Sequence, residues 1–169
     1  MSASLVGSEM CIRDRYVIED LAGLPVRVEL ASEFRYRKPL LDPDGLAVII
    51  SQSGETADSL AALRECKEKG IRTLAIVNVV GSSIAREADH VFYTLAGPEI
   101  SVATTKAYST QLIASYVLAL QMALVRGKIS EEQSESYIKE LKTLPDKIGR
   151  IIEDKERLQW FASKQANAR

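Results

Sequence analysis

A chain of 169 residues, 46% hydrophobic and 27% charged, has the composition of a soluble globular protein with room for one core. Its 22 basic and 23 acidic residues leave a formal charge of −1, and aromatics make up 6%, so no broad positive field or base-stacking surface for nucleic acid is expected. Cys11 and Cys66 stand far apart and His90 is the one histidine, which excludes a disulfide framework and a metal site and leaves two reduced thiols.

Apolar stretches read as short or broken and no signal-peptide pattern opens the chain, so no membrane association is expected and the expected location is cytoplasmic. Residues 5–15 read LVGSEMCIRDR. Ten in succession, 5–14, match the translation of a DNA adaptor used in transposon-based sequencing libraries. Residues 1–15 are therefore set aside as a processing scar, outside the fold. Native sequence is then expected to begin near Arg15 or Tyr16, and Cys11 leaves the protein's chemistry.

Residues 16–21 carry apolar side chains at helical spacing before Gly23 and Pro25, the tail of a longer helix. Val26, Val28 and Leu30 alternate with Arg27 and Glu29, as in an edge strand buried on one side. Residues 31–38 are charged and helical in propensity, and Pro39, Pro43 and Gly45 mark a loop. The continuous apolar run 46–50 suits a central parallel strand covered on both sides. An amphipathic helix follows over 56–69, with Leu60, Leu63 and Cys66 on one side and Gly70 at its end. A strand over 73–77, a short helix over 83–87 and a strand over 91–93 complete a β-α-β-α-β order. Such alternation implies right-handed crossovers and a parallel sheet with helices on both sides. Residues 105–124 form a long helix that is apolar round most of its girth. Beyond Gly127 the chain turns polar. A helix over 130–144 has Ser130 as N-cap and Gln133 at the capping-box position, Pro145 interrupts, and a charged helix over 148–166 follows with no strand after it.

The segment Ser51-Gln52-Ser53-Gly54-Glu55-Thr56 follows a buried strand and opens a helix. Ligands of open α/β sheets sit at strand carboxyl ends, where a helix N-terminus offers free N–H groups and a positive dipole end. Ser51, Ser53 and Thr56 add hydroxyls, Gln52 an amide, and Gly54 lets the backbone approach closely. A phosphate monoester is the natural guest. The segment holds no lysine at the spacing of a nucleotide-binding P-loop. Simple capping of the helix by Ser and Thr accounts for the same letters. Residues 96–106 form a second strand-to-helix segment able to line the same crevice or to act only as a tight turn. Lys106, early in a helix, reads as solvated.

The stretches LAGLPVRVELASEFRYR (21–37), SQSGETADSLAALR (51–64), LAIVNVVGSSIAREAD (74–89) and AGPEISVATTKAYSTQL (96–112) resemble, in the same order, the isomerase part of the glutamine–fructose-6-phosphate aminotransferase family. The resemblance implies a sugar isomerase (SIS) domain: a three-layer α/β/α sandwich with a parallel, flavodoxin-like sheet. It implies a reaction without a cofactor that makes glucosamine 6-phosphate and glutamate from fructose 6-phosphate and glutamine. Ser51, Gln52, Ser53, Gly54 and Thr56 would surround the substrate phosphate, and Val102 with Thr104, where many relatives have serine, would lie beside the sugar.

The same resemblance divides the chain into a partial first SIS domain, 16–127, and a helical connector, 128–169, toward a second. The family's first strand and its Cys-Gly-Thr-Ser loop would fall upstream of Tyr16, leaving the domain incomplete at its N-terminus. No catalytic residue is expected here, because the family's reacting histidine, glutamate and lysine belong to the second SIS domain and its cysteine nucleophile to a glutaminase domain. A homo-oligomer is expected of the parent protein. Two alternatives use the same loop: a non-catalytic sugar-phosphate-sensing SIS module, and a fructosamine deglycase or sugar-phosphate isomerase.

Overall fold

The computed structural model describes residues 3–7, 11–100 and 105–165. In chain order its elements are β1 (Ala3–Gly7), α1 (Cys11–Ala22), β2 (Val26–Leu30), α2 (Ala31–Phe34), β3 (Leu46–Ser51), α3 (Ala57–Glu68), β4 (Arg72–Val77), α4 (Ser83–Glu87), β5 (His90–Tyr93), α5 (Thr105–Val125), α6 (Glu131–Lys142), α7 (Leu144–Glu153) and α8 (Lys155–Gln165). They fall into two units, Met1–Ser130 and Glu131–Arg169.

The first unit is an α/β sandwich on a five-stranded, all-parallel sheet of order β2-β1-β3-β4-β5. The apolar run of β3 explains the layering, since successive side chains of a strand point to opposite sides. Val48 and Ile50 enter one core with Ile18 and Ala22 of α1 and Ala114, Ala119 and Ala123 of α5. Ala47 and Ile49 enter the other core with Phe34 of α2, Ala62, Leu63 and Cys66 of α3, and Ile84 of α4. Fully burying a side chain such as Ile49 or Leu63 contributes about 1.5–3 kcal/mol, so β3, covered on both sides, anchors the sheet. On α3 the buried side is Ser59, Ala62, Leu63 and Cys66, with Leu60 only partly covered. α2 is shorter than its charged sequence suggests and ends at Phe34.

Of the first fifteen residues, those described, 3–7 and 11–15, lie within this fold as β1 and the start of α1. Ala3–Gly7 lies between β2 and β3, with Val6 opposite Glu29 on one side and Ile49 on the other. Val6 is fully buried in the second core. The slot between β2 and β3 is therefore filled by Ala3–Gly7. The physical reason is that the Leu5-Val6 pair suits a strand, and an empty slot would leave two unpaired ladders in the middle of the sheet. The fit is poorer in α1. Asp14 is buried, its Oδ1 finds no hydrogen-bond partner, and desolvation lifts its pKa to about 6 against the opposing effect of a hydrogen bond with Ser115.

α5 also departs from the expectation of short or broken apolar stretches. Its stretch Lys106–Val125 is long and apolar enough to cross a membrane. In the fold Ala107, Ala114, Ser115, Ala119, Leu120 and Ala123 are buried, so one side of the helix serves as sheet cover.

In the second unit the expected interruption falls at Thr143, between α6 and α7, and Pro145 lies just beyond it. The proline sits in the first turn of α7, where its missing N–H costs nothing. The expected single helix over 148–166 is instead α7 and α8, separated at Asp154. Ile148, Ile151 and Ile152 share one side of α7 and are exposed, as are Leu158, Trp160 and Phe161 of α8.

Candidate functional site

The order β2-β1-β3 reverses the direction of winding between β1 and β3, and the crevice at the carboxyl ends of such strands is where doubly wound sheets bind ligands. Ser51 ends β3 at that place, and residues 52–56 cross from the strand to α3.

Each expected residue of the first loop falls within this turn. Ser51 is buried, and its Oγ accepts the Gly54 N–H at 3.1 Å and lies 3.4 Å from Thr56 Oγ1. Ser53 is exposed, with its Oγ accepting the Glu55 N–H at 3.2 Å. Gln52 is half-buried, and its Oε1 is enclosed without a hydrogen-bond partner. Gly54 has φ +66°, a left-handed conformation that disfavours other residues. Thr56 is the N-cap of α3, yet its hydroxyl makes no capping bond. Capping, the bland account of that threonine, is therefore not its role here. The hydroxyl is turned to Ser51, and the turn presents backbone N–H groups and hydroxyls at the positive end of a three-turn helix.

A second layer locks this turn from behind. The Gly54 carbonyl accepts the Ile84 N–H at 3.0 Å, and the Gln52 carbonyl accepts the Asn78 N–H at 3.2 Å. The Glu55 carboxylate accepts the Ser83 N–H at 2.8 Å, and hydrogen bonds to Ser83 hold its pKa below the ordinary glutamate range. Ser82 is buried against Gly54 with no partner for its hydroxyl. Sequence reasoning singled out none of Asn78, Ser82 and Glu55. The available signal was the position of Asn78, the first polar residue after the buried strand β4.

Of the second loop, residues 94–100 are described, whereas Val102 and Thr104 lie outside the described residues. Glu99 Oε2 accepts the Ala107 N–H at 3.1 Å, in the first turn of α5. Lys106 is exposed. A cleft of about 540 Å³ between Arg15, Glu19, Val26, Arg27 and Asp42 is at the amino end of β2, the opposite end of the parallel sheet from residues 51–56. His90, at the start of β5, is exposed, and among the described residues no group of three His, Cys, Asp or Glu side chains is placed to hold a metal.

A doubly wound, all-parallel sheet with a strand-to-helix turn at its switch point defines the class: an open α/β domain whose ligand crevice lies at the carboxyl ends of its strands. The description of the SIS domain matches residues 7–121, and the chain belongs to the SIS-domain family. It is 56% identical over 155 residues to the glutamine–fructose-6-phosphate aminotransferase (isomerizing) of Caldanaerobacter subterraneus subsp. tengcongensis, covering 92% of this chain and 26% of that protein. The corresponding enzyme of Clostridium tetani is 55% identical over 150 residues, covering 89% and 25%. Among solved structures, the C-terminal domain of the Francisella tularensis enzyme superposes with a TM-score of 0.92 at 35% identity, covering 98% of this chain and 48% of that one. The chain thus spans about a quarter of the length of these curated relatives.

Proposed function

We propose that this chain is a piece of the isomerase part of an enzyme that makes glucosamine 6-phosphate from fructose 6-phosphate and glutamine, and that its share of the work is to hold the sugar phosphate. The reading is carried by the turn over 51–56, where Ser51 and Thr56 hydroxyls, a left-handed Gly54 and the start of α3 converge at the carboxyl end of β3. The names of the relatives, all aminotransferases of that type, supply the sugar.

In this reading Ser51, Gln52, Ser53, Gly54 and Thr56 take the phosphate, and Val102 with Thr104 meet the sugar. Fixing a phosphate remote from the reacting carbons converts binding energy into orientation of the sugar carbonyl, which lowers the barrier without this chain touching the reacting atoms. No residue here is assigned a chemical step, and no cofactor is invoked. Residues 128–169 act as the connector toward a second SIS domain. The exposed Ile148, Ile151 and Ile152 supply an apolar side for the parent protein to cover. The parent is read as a cytoplasmic homo-oligomer.

The test is thermal unfolding of the full chain with fructose 6-phosphate, inorganic phosphate or fructose. A ligand at about a hundred times its dissociation constant stabilises the native state by roughly 2.7 kcal/mol. The expected result is a rise in Tm with the sugar phosphate, a smaller one with phosphate and none with fructose. Equal response to fructose and fructose 6-phosphate would remove the phosphate loop from the account.

A further inference from the structure

The turn over 51–56 and the segment over 94–97 are bonded to one residue. The backbone N–H of Asn78 donates to the Gln52 carbonyl at 3.2 Å. Its side chain faces the other way: Nδ2 donates to the Gly97 carbonyl at 2.8 Å, and Oδ1 accepts from the Ala96 N–H at 2.7 Å and the Thr94 hydroxyl at 3.2 Å. The Ala96 N–H fixes which end of the amide is oxygen, because a backbone donor requires an acceptor there.

Between those anchors stands Leu95, with φ +52° and its side chain exposed. It is the one non-glycine residue with positive φ among the described residues. Such a conformation persists only where neighbours over-determine it. Here the neighbours are Thr94, whose N–H reaches the Val77 carbonyl at 3.0 Å and whose hydroxyl reaches Asn78, and Ala96, bonded to the same amide. The sheet and the Thr94 N–H to Val77 bond hold the start of this segment beside β4, and the Asn78 side chain carries that hold on to Ala96 and Gly97.

We infer that Asn78 is a positioning residue that fixes the spacing between the phosphate-holding turn and the 94–97 wall, and so selects for the part of the ligand beyond its phosphate. The inference rests on the proposed phosphate site and adds what discriminates a sugar phosphate from a bare phosphate. Replacing Asn78 with alanine removes the three side-chain bonds while its backbone N–H to Gln52 remains, so the two functions separate.

The experiment measures, on the full chain, the dissociation constants of fructose 6-phosphate and inorganic phosphate by calorimetry, with circular dichroism to show that each variant is folded. Asn78→Ala is expected to weaken fructose 6-phosphate by about ten-fold, the scale of one or two lost hydrogen bonds, with phosphate unchanged. Thr94→Val, a milder change that deletes one of the three bonds, is expected to move the same ratio in the same direction and serves if Asn78→Ala does not fold. An unchanged ratio in both variants, or equal weakening of both ligands, would overturn the positioning role while leaving the phosphate site standing. If the unmodified chain binds neither ligand, the phosphate site itself is wrong, and this inference falls with it.

Discussion

A Cβ placed on Gly54 would stand 2.1 Å from Ser82 Oγ and 2.6 Å from Ser82 Cβ. The turn over 51–56 and the start of α4 therefore touch through a position that admits no side chain. Two penalties combine at that site: the left-handed backbone at φ +66° and the overlap with a buried serine. The first alone costs an L-residue about 1–2 kcal/mol. Gly54→Ala should lower the stability measured by urea unfolding by at least that much and abolish the ligand-induced rise in Tm. Adding Ser82→Gly should recover part of the stability, since it relieves the overlap but not the backbone strain. Full stability in Gly54→Ala alone would show that the two loops do not meet as described.

The position of β1 makes a second expectation definite. A chain beginning at Tyr16 loses the strand that bridges β2 and β3, and with it Val6 from the second core. It should lose its cooperative thermal transition or associate through the exposed strand edges, as read by circular dichroism and gel filtration. A sharp monomeric transition would mean that β2 closes directly onto β3.

Asp14 sets a pH dependence with an unusual sign for a carboxylate. Its pKa is raised by burial to about 6 from an ordinary 3.8, so between those values the native state holds a proton that the unfolded chain has released. Stability then falls as pH rises through that window, and the cost is fully present above pH 6. Asp14→Ala should therefore stabilise the protein at pH 7.5, do little at pH 3.5, and differ from the parent by a growing margin in between. Asp89 acts oppositely. Lys67 and then Thr73 are the main causes that hold its pKa down to about 2, so its contribution is lost on acidification and is common to both proteins. Equal pH profiles for the parent and Asp14→Ala would place Asp14 in water.

Cys66 is fully buried in the second core, and desolvation pushes its thiol up to about 11. The thiolate, the reactive form, is then both scarce and shielded at neutral pH. In a Cys11→Ser background, a disulfide reagent should label Cys66 only at the rate of unfolding and at once in denaturant. Rapid labelling of the native protein would show that α3 opens locally.

The sequence by itself determined the layers and the place of the strand-to-helix turn over 51–56. A continuous apolar run such as 46–50, set between a loop and a serine-rich segment, suits a strand covered on both sides, and the segment behind it then opens a helix at a strand end. Both follow from local periodicity and short-range chemistry. Tertiary structure alone decided what depends on partners distant in sequence. Residues 3–7 carry an adaptor-like sequence, yet the sheet places them between β2 and β3, because those strands leave a ladder that an apolar extended segment can fill. Thr56 looks like a helix cap in one dimension, but its hydroxyl turns to Ser51 once the loop closes. Asn78 is an ordinary polar residue after a strand until β5 brings residues 94–97 beside it. Hydrogen bonds spanning 16 to 19 positions leave no periodic trace in the chain, so the brace between the two loops was invisible until the sheet was assembled.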